Sequence, residues 1–431
     1  MGNKAWKYWL IASILAGALW AASSRAAEEK AQPTTFNSAA RFSVWALVSE
    51  APQFVGNTPS ERPLTIPPCR CWYVAPWPPV DMEKVRQEVE AQAIPGLKLK
   101  YATDADLEGL KELAGLEYLN LAGTEVTDAG LEDLKGLPAL RQVDLSCTKV
   151  VGPGLEHLKG LKALQSLNLA LTDVTDAGLE HLQGLTRLER LSLRYTGITD
   201  AGLEHLKSLA ALRELDLSTF PIFDFQGDKD MQVWLEVERH TNRVTDAGLE
   251  HLKGLTALRT LDLAETRVTG PGLEHLKRLP ALRTLNLADT QVTDAGLEHV
   301  KWLTALKRLD LSWTDVTGAG FEHLKGLTQL RFLDLGDTRV TDAGLVHLKE
   351  LTALEKLNLT STEVTDAGLE HLKGLRALQV VSLWNTQVSD AGLEHLKGLT
   401  ALERLDLRGT KVTDAGVEQL KKSLPNVAVY R

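Results

Sequence analysis

The chain has 431 residues, of which 44% are hydrophobic and only 6% aromatic, and its formal net charge is −9. The hydrophobic content excludes global disorder, and 33 glycines with 16 prolines are too few for a collagen. The acidic balance argues against a nucleic-acid partner, because such proteins usually carry a basic face.

Residues 1–26 have the pattern of an export signal. A basic start at Lys4 and Lys7 is followed by an apolar run over 9–22 and by small residues that suit cleavage before Ala27. The run is shorter than the roughly 20 residues of a membrane-spanning helix. We therefore expect an exported protein, periplasmic, extracellular or at the cell surface, with an uncleaved N-terminal anchor as the alternative.

Residues 27–82 form a proline-rich N-terminal segment that is either partly ordered or a tether. Alternation predicts short strands at 41–48 and 71–74. The stretch 83–100 is predicted to be an N-terminal cap, with a helix over 82–92, because an array of stacked repeats needs its terminal core covered.

Three cysteines are an odd number for an oxidising compartment: Cys69, Cys71 and Cys147. No further residues converge on them to complete the four ligands of a zinc site, and a disulfide within the C-x-C pair would be strained. Two interpretations stay open. Either Cys69 or Cys71 pairs with Cys147 and clamps the N-terminal segment, or the thiols are free.

A 24-residue period governs residues 101–431. The unit reads V-T-D-A-G-L-E-H-L-K-G-L-T-A-L-R-x-L-D-L-x-x-T-x, and its T-D-A-G-L glycine recurs every 24 residues except between Gly202 and Gly248, where extra residues are inserted. We predict about 13 repeats. Each unit contains a helix, in which Leu249 and Leu252 share one face, and a short alternating strand. A lone unit buries too little apolar surface to offset the ordering of its backbone, so the units must stack.

These residues carry a resemblance to a known family. The phrase L-x-x-L-x-L-x-x-T is similar to the leucine-rich repeat, whose ninth position is usually Asn or Cys, and Asn242 has the residue that the family prefers. The T-D-A-G-L phrase resembles exported bacterial repeat proteins and the repeat part of F-box proteins. The resemblance implies an α/β solenoid with a concave parallel sheet and helices on the convex side.

The insertion at 219–240 is the least repetitive stretch of the array. A turn-forming centre between two apolar runs predicts a β-hairpin, and it contains four aromatic residues: Phe220, Phe223, Phe225 and Trp234. Insertions in repeat arrays often lie on the binding face, so these are candidate ligand contacts. The alternative is that the hairpin buries them against the array.

The central outward position of each strand is polar in every repeat. It holds aspartates at 144, 216, 262, 310, 334 and 406, asparagines at 120, 168, 286 and 358, and serines at 192 and 382. The adjacent Asp310 and Asp334 could support acid–base chemistry or a cation. The same residue class in every strand favours a structural ladder instead.

Departures from the repeat pattern indicate two further candidate binding groups. Arg190, Arg194 and Tyr195 cluster on one strand, and a second group lies towards the C-terminal end, formed by Trp313, Phe332, Trp384, Arg404 and Arg408. Arginine and aromatic side chains are frequent anchors of protein interfaces.

Ten histidines also recur at 24-residue spacing, from His157 to His395. Neighbouring helices lie about 8–10 Å apart, too far for a zinc ion held at about 2.1 Å from each ligand, so we interpret them as helix-surface residues without a metal.

The chain contains no phosphate-binding loop, H-E-x-x-H motif or nucleophile elbow. We therefore predict a non-enzymatic, exported recognition scaffold that needs no cofactor and binds a protein or a glycan. An F-box-type adaptor and a cation-dependent enzyme using the aspartate column are the alternatives.

Overall fold

The structure is a computed structural model that describes residues 34–38, 40–47, 52–60, 62–67, 69, 71–78, 80–219 and 241–431. The export signal and 220–240 lie outside the described residues. The chain divides into two compact units, 1–198 with 220–241 and 199–219 with 242–431, here the N-terminal and C-terminal units.

The N-terminal unit begins with five strands, β1 (Thr34–Phe36), β2 (Phe42–Leu47), β3 (Pro52–Thr58), β4 (Leu64–Ile66) and β5 (Cys71–Pro76). β2 pairs antiparallel with β3 and β5, and β5 then pairs parallel with the first repeat strand through Val74 and Leu97. The predicted strands at 41–48 and 71–74 are confirmed. The cap predicted for 83–100 therefore extends back into the proline-rich segment.

The helix predicted over 82–92 is confirmed as α1 (Met82–Ala91). Asp81 caps it by accepting a hydrogen bond from the Lys84 amide, and Val85 and Val89 are its buried residues. Gly96 follows on β6, where a Cβ would lie only 2.6 Å from the Cβ of Tyr73. Glycine here lets Tyr73 cross β6 and stack on Tyr118 of the next strand, with ring centroids 5.0 Å apart.

Parallel strands of three residues then recur once per repeat, and neighbours within each unit pair in register 24 residues apart, except where 220–240 intervene. In the N-terminal unit they are β6 (Gly96–Lys98), β7 (Tyr118–Asn120), β8 (Gln142–Asp144), β9 (Ser166–Asn168) and β10 (Arg190–Ser192). In the C-terminal unit they are β11 (Glu214–Asp216), β12 (Thr260–Asp262), β13 (Thr284–Asn286), β14 (Arg308–Asp310), β15 (Phe332–Asp334), β16 (Lys356–Asn358), β17 (Val380–Ser382), β18 (Arg404–Asp406) and β19 (Ala428–Tyr430).

Short α-helical and 3₁₀ segments take the place of the single helix that we predicted for each repeat. The α-helices after α1 are α2 (Asp104–Leu107), α3 (Asp176–Leu179), α4 (Asp200–Glu204), α5 (Asp246–Leu249), α6 (Leu297–Val300), α7 (Asp342–Leu345), α8 (Asp366–Leu369), α9 (Asp390–Leu393) and α10 (Asp414–Ser423). The 3₁₀ helices are Leu110–Glu112, Gly130–Gly136, Pro153–Gly160, Glu180–Leu182, His205–Ser208, Glu250–Gly254, Pro271–Arg278, Asp294–Gly296, Ala319–Leu324, Val346–Glu350 and Glu370–Leu372. Leucines three apart suit this form, because a 3₁₀ helix has three residues per turn.

A carboxylate clamp joins successive repeats. The aspartate of T-D-A-G-L accepts two hydrogen bonds from the threonine or serine of the next repeat, as Asp342 does from the Thr365 amide at 2.8 Å and the Thr365 hydroxyl at 2.6 Å. Gly368 lies directly over this carboxylate, and a Cβ there would overlap Asp342. The threonine, aspartate and glycine of the phrase are thus one inter-repeat contact. The clamp aspartates are 104, 200, 246, 294, 342, 366 and 390.

The ninth position of the repeat closes each strand. Its threonine hydroxyl donates to the carbonyl three residues earlier, as Thr290 does to Leu287 at 2.6 Å. Asn242 makes the equivalent bond to the Leu217 carbonyl at 2.8 Å, although 220–240 separate the two residues. The ninth side chain thus satisfies a buried backbone carbonyl of its own repeat.

A left-handed residue precedes this threonine in most repeats. Nine such residues that are not glycine have φ between +51° and +59°: Cys147, Leu171, Tyr195, Glu265, Asp289, Trp313, Asp337, Ser361 and Asn385. The position is needed because its amide donates to the next repeat, as the Leu171 amide does to the Arg194 carbonyl at 2.8 Å. Asp and Asn tolerate this conformation, whereas a bulky side chain is strained there.

Replacing Asp342 with alanine should lower the free energy of unfolding by about 2 kcal/mol, because the amide and hydroxyl of Thr365 lose a charged acceptor. Urea unfolding of the full chain measures this. The control is Asp315→Ala, which removes an exposed ion pair with Arg339 and should change little. Equal effects of the two substitutions would contradict the clamp.

A reciprocal exchange tests the left-handed position. Leu171→Asn should raise stability by up to about 1 kcal/mol, and Asn385→Leu should lower it by a similar amount, because asparagine adopts positive φ more readily than leucine. Thermal unfolding measures both. If both substitutions shifted the midpoint in the same direction, side-chain packing would outweigh backbone strain.

Candidate functional site

The strand face, meaning the side of the parallel sheet opposite the buried leucines, has a central polar column. Its Asp or Asn oxygen accepts the amide hydrogen two residues further on, as Asp262 does from Ala264 and Asn286 does from Ala288, both at 3.0 Å. Asparagine also donates across strands, as Asn286 does to Asp262 Oδ2 at 3.2 Å. These bonds support the interpretation of the column as a structural ladder.

Asp310 and Asp334 depart from this ladder. They are register partners on β14 and β15, and no amide side chain separates them. Asp310 Oδ2 is buried without a hydrogen-bond partner, whereas Asn358 donates to Asp334 at 2.8 Å. Burial raises the pKa of both carboxyls, and repulsion by Asp310 raises the pKa of Asp334 further.

Arg308 belongs to the same cluster. Its guanidinium lies over the Phe332 ring, 4.2 Å from the centroid, and its Nη2 is buried without a hydrogen-bond partner. Burial lowers the pKa of Arg308 although Asp310 and Asp334 oppose that shift. Since the two carboxyls are only 3% and 2% exposed, they are poorly placed for acid–base work on a substrate.

The predicted second group divides into two parts. Phe332 stacks with Arg308, while Arg408 lies over the Trp384 ring at 5.3 Å and forms a bidentate pair with Asp406. Trp313 is half-buried at a left-handed position. Arg404 is exposed in the same column as Phe332.

The first predicted group does not offer the open surface that we expected. Arg190, Arg194 and Tyr195 are 9%, 9% and 4% exposed. The hairpin candidates Phe220, Phe223, Phe225 and Trp234 lie outside the described residues.

The structure does not bring the cysteines together. Cys71 is on β5 and Cys147 follows β8, so β6 and β7 lie between them, a separation of about 14 Å at 4.8 Å per strand. A disulfide needs Cα atoms within about 7 Å. The structure shows no disulfide among Cys69, Cys71 and Cys147, and burial raises the pKa of Cys147 to about 11.

The recurrent histidines lie on the helical side and are half-buried, for example His181 and His299, whose side chains are 16% and 24% exposed. A cavity of about 400 Å³ beside His181 is lined by Lys159, Lys162 and Glu180. Among the described residues, no three His, Cys, Asp or Glu side chains are grouped to hold a metal ion. No helix in that part of the chain is long and apolar enough to cross a membrane.

Two features of the strand face were not predicted from the sequence. Arg308 was overlooked, although it precedes Phe332 by one 24-residue period and occupies the same column. Asp216 and Asp262 are also register partners, which the insertion between them concealed.

Asp334→Asn should stabilise the protein at neutral pH by about 1–3 kcal/mol, because the amide can supply the donor that Asp310 Oδ2 lacks. Because the pKa of Asp334 is raised in the folded state, the free energy of unfolding of the wild type falls as the pH rises through that pKa. The stabilisation by Asp334→Asn should therefore be larger at pH 7.5 than at pH 4.5. Urea unfolding at both pH values measures this. Asp406→Asn is the control and should not stabilise, since it breaks the pair with Arg408.

Comparison with known proteins agrees with this architecture. The sequence matches the leucine-rich repeat region family over 239–428 and a second leucine-rich repeat family over 116–135, 162–182 and 185–207. No curated protein matches the sequence significantly.

Among solved structures, an internalin of Listeria monocytogenes is similar with a TM-score of 0.56 at 20% identity, covering 75% of this chain and 92% of the internalin. A leucine-rich repeat protein of Leptospira interrogans gives 0.50 at 21%, covering 81% and 92%. The mouse RP105/MD-1 complex gives 0.54 at 19%, covering 78% and 59%. The 24-residue register, the parallel strands and the matched families together show that this chain belongs to the leucine-rich repeat proteins, with their α/β solenoid fold.

Proposed function

We propose that the protein is a non-catalytic, exported recognition scaffold that binds a protein ligand on the strand face of its C-terminal unit. The observation that carries this proposal is the pair of arginine–aromatic stacks, Arg308 on Phe332 and Arg408 on Trp384. Each stack holds a large side chain in place before binding, which lowers the ordering cost of an interface.

Some other repeats have threonine at the positions of the two aromatics. Thr260 and Thr284 occupy the column of Phe332, and Thr360 precedes Trp384 by one period. Scaffold packing does not need these aromatics, since the neighbouring repeats do without them. Aromatic and arginine side chains are also the residues most often found as interface hot spots.

The similar structures support a binding role, since one of them is a complex of RP105 with MD-1. Residues 1–26 support export through their signal pattern. A hairpin at 219–240 remains a second proposed contact because of its aromatic content, and a glycan is an alternative ligand. The F-box-type adaptor is less favoured, because the signal pattern of residues 1–26 supports export.

The test is affinity capture by the immobilised full-length mature chain, with bound proteins quantified by mass spectrometry. The double variant Phe332→Thr and Trp384→Thr introduces a residue that other repeats have at the equivalent positions, so it should preserve the fold. The double variant should capture at least about 10-fold less of a protein that binds the strand face, because one interface anchor contributes about 2 kcal/mol to the binding free energy.

The control is Trp302→Gly, which removes an exposed aromatic (59%) from the helical side, where other repeats have glycine. It should capture normally. Loss with Trp302→Gly and not with the double variant would contradict binding on the strand face. Capture that disappears only on deletion of 219–240 would assign the ligand to the insertion.

A further inference from the structure

A row of cations crosses the C-terminal unit at the start of its strands. Arg259, Arg283, Lys307 and Arg331 immediately precede β12, β13, β14 and β15, and Arg308 is the first residue of β14. We call these five residues the basic stripe. The backbone joins the members in succession, because the amides of Arg283, Lys307 and Arg331 each donate to the carbonyl of the member one repeat earlier, at 2.7–2.8 Å.

The spacing of the stripe follows from the sheet. Neighbouring strands lie about 4.8 Å apart, so the stripe spans roughly 14 Å from Arg259 to Arg331. Its members are half-buried or exposed at the sheet margin. The residues that directly follow Arg259, Arg283, Lys307 and Arg331 are also not acidic. They are Thr260, Thr284, Arg308 and Phe332.

The stripe is poorly neutralised. Within the described residues, Arg331 is its one member with an ion pair, to Glu355 at 2.8 Å. Elsewhere the same column pairs opposite charges between strands, as Arg141 does with Glu117 at 3.3 Å. The buried Asp310 and Asp334 attract Arg308, but among the described contacts no ion pair joins either carboxyl to it. Like charges at this spacing repel each other, and a bound anion would relieve that repulsion.

We propose that the basic stripe binds an extended acidic peptide segment of the partner protein. This inference rests on the proposed function and specifies the chemistry of the ligand. Four of the five cations are arginine, whose planar guanidinium matches a carboxylate in a bidentate geometry. An extended peptide places alternate side chains on one side about 6.6 Å apart, so three acidic residues at i, i+2 and i+4 cover about 13 Å.

A nucleic acid fits the stripe less well. Double-stranded DNA presents one charge per about 1.7 Å and is usually bound through a broad basic face. The stripe is short, and the protein carries a net charge of −9 that would repel a long polyanion.

The probe is a fluorescein-labelled peptide of alternating glutamate and threonine, with an alternating lysine and threonine peptide as the reversed-charge control. Binding to the full-length mature chain is measured by fluorescence anisotropy at low salt and at roughly 0.15 M. The glutamate peptide should bind, more weakly at the higher salt, and the lysine peptide should not. A labelled DNA duplex is measured alongside.

The triple variant Arg259→Gln, Arg283→Gln and Lys307→Gln should weaken glutamate-peptide binding at least 10-fold. The matched control is Lys301→Gln, Lys325→Gln and Lys349→Gln, which removes the same charge from the helical side of neighbouring repeats and should change binding less than 2-fold. If the stripe variant does not fold, Arg283→Gln alone, at an exposed position, should still weaken binding measurably.

Equal weakening by both triple variants, binding of the lysine peptide, or tighter binding of DNA through the stripe would overturn the inference. Failure here is distinguishable from failure of the proposed function. If a captured protein depends on Phe332 and Trp384 but not on the stripe, recognition by the strand face stands and the acidic ligand is wrong.

Discussion

The carboxylate clamp between repeats is the contact on which the rest of the array depends. An Asp side chain reaches 23 residues ahead to a threonine amide and hydroxyl, and a glycine three residues further on leaves room for it. The threonine, aspartate and glycine of the T-D-A-G-L phrase therefore serve a single contact. Because leucines fill the core and the clamp fixes the stacking, strand-face side chains outside the central polar column can vary without altering the scaffold.

That freedom explains where the unusual residues lie. In a chain with 6% aromatic residues, the described aromatics fall in the cap, on the strand face and at single points of the helical side. Tyr73 of the cap packs over Gly96 and stacks on Tyr118 of β7. Phe332 and Trp384 replace non-aromatic residues of their neighbouring repeats, and each lies under an arginine from an adjacent repeat. This difference separates the scaffold from the candidate site.

The period of 24 residues was sufficient to predict the fold and the register, because one spacing repeated many times leaves no alternative pairing. The same period also predicts that Arg308 and Phe332 are neighbours on adjacent strands, but we overlooked Arg308 because we looked only for rare aromatic residues. The burial of Arg190 and Tyr195 could not be predicted, since periodicity assigns a residue to a face and says nothing of what packs on that face. The cap occurs once, so only local alternation indicated β2 and β5. The 3₁₀ form follows from leucines three apart, which we interpreted as an ordinary helix.

The hydrogen bond from Asn242 to the Leu217 carbonyl lets the array tolerate inserted residues at this position. It closes the strand of its repeat just as a threonine three residues away would, and Thr219 still donates to the Ala264 carbonyl of the next repeat. The chain can therefore leave and re-enter the scaffold at this corner with both neighbours in register. Segments of other lengths or compositions could be exchanged at this junction, which makes it a natural attachment point for diversification or for grafting a foreign loop.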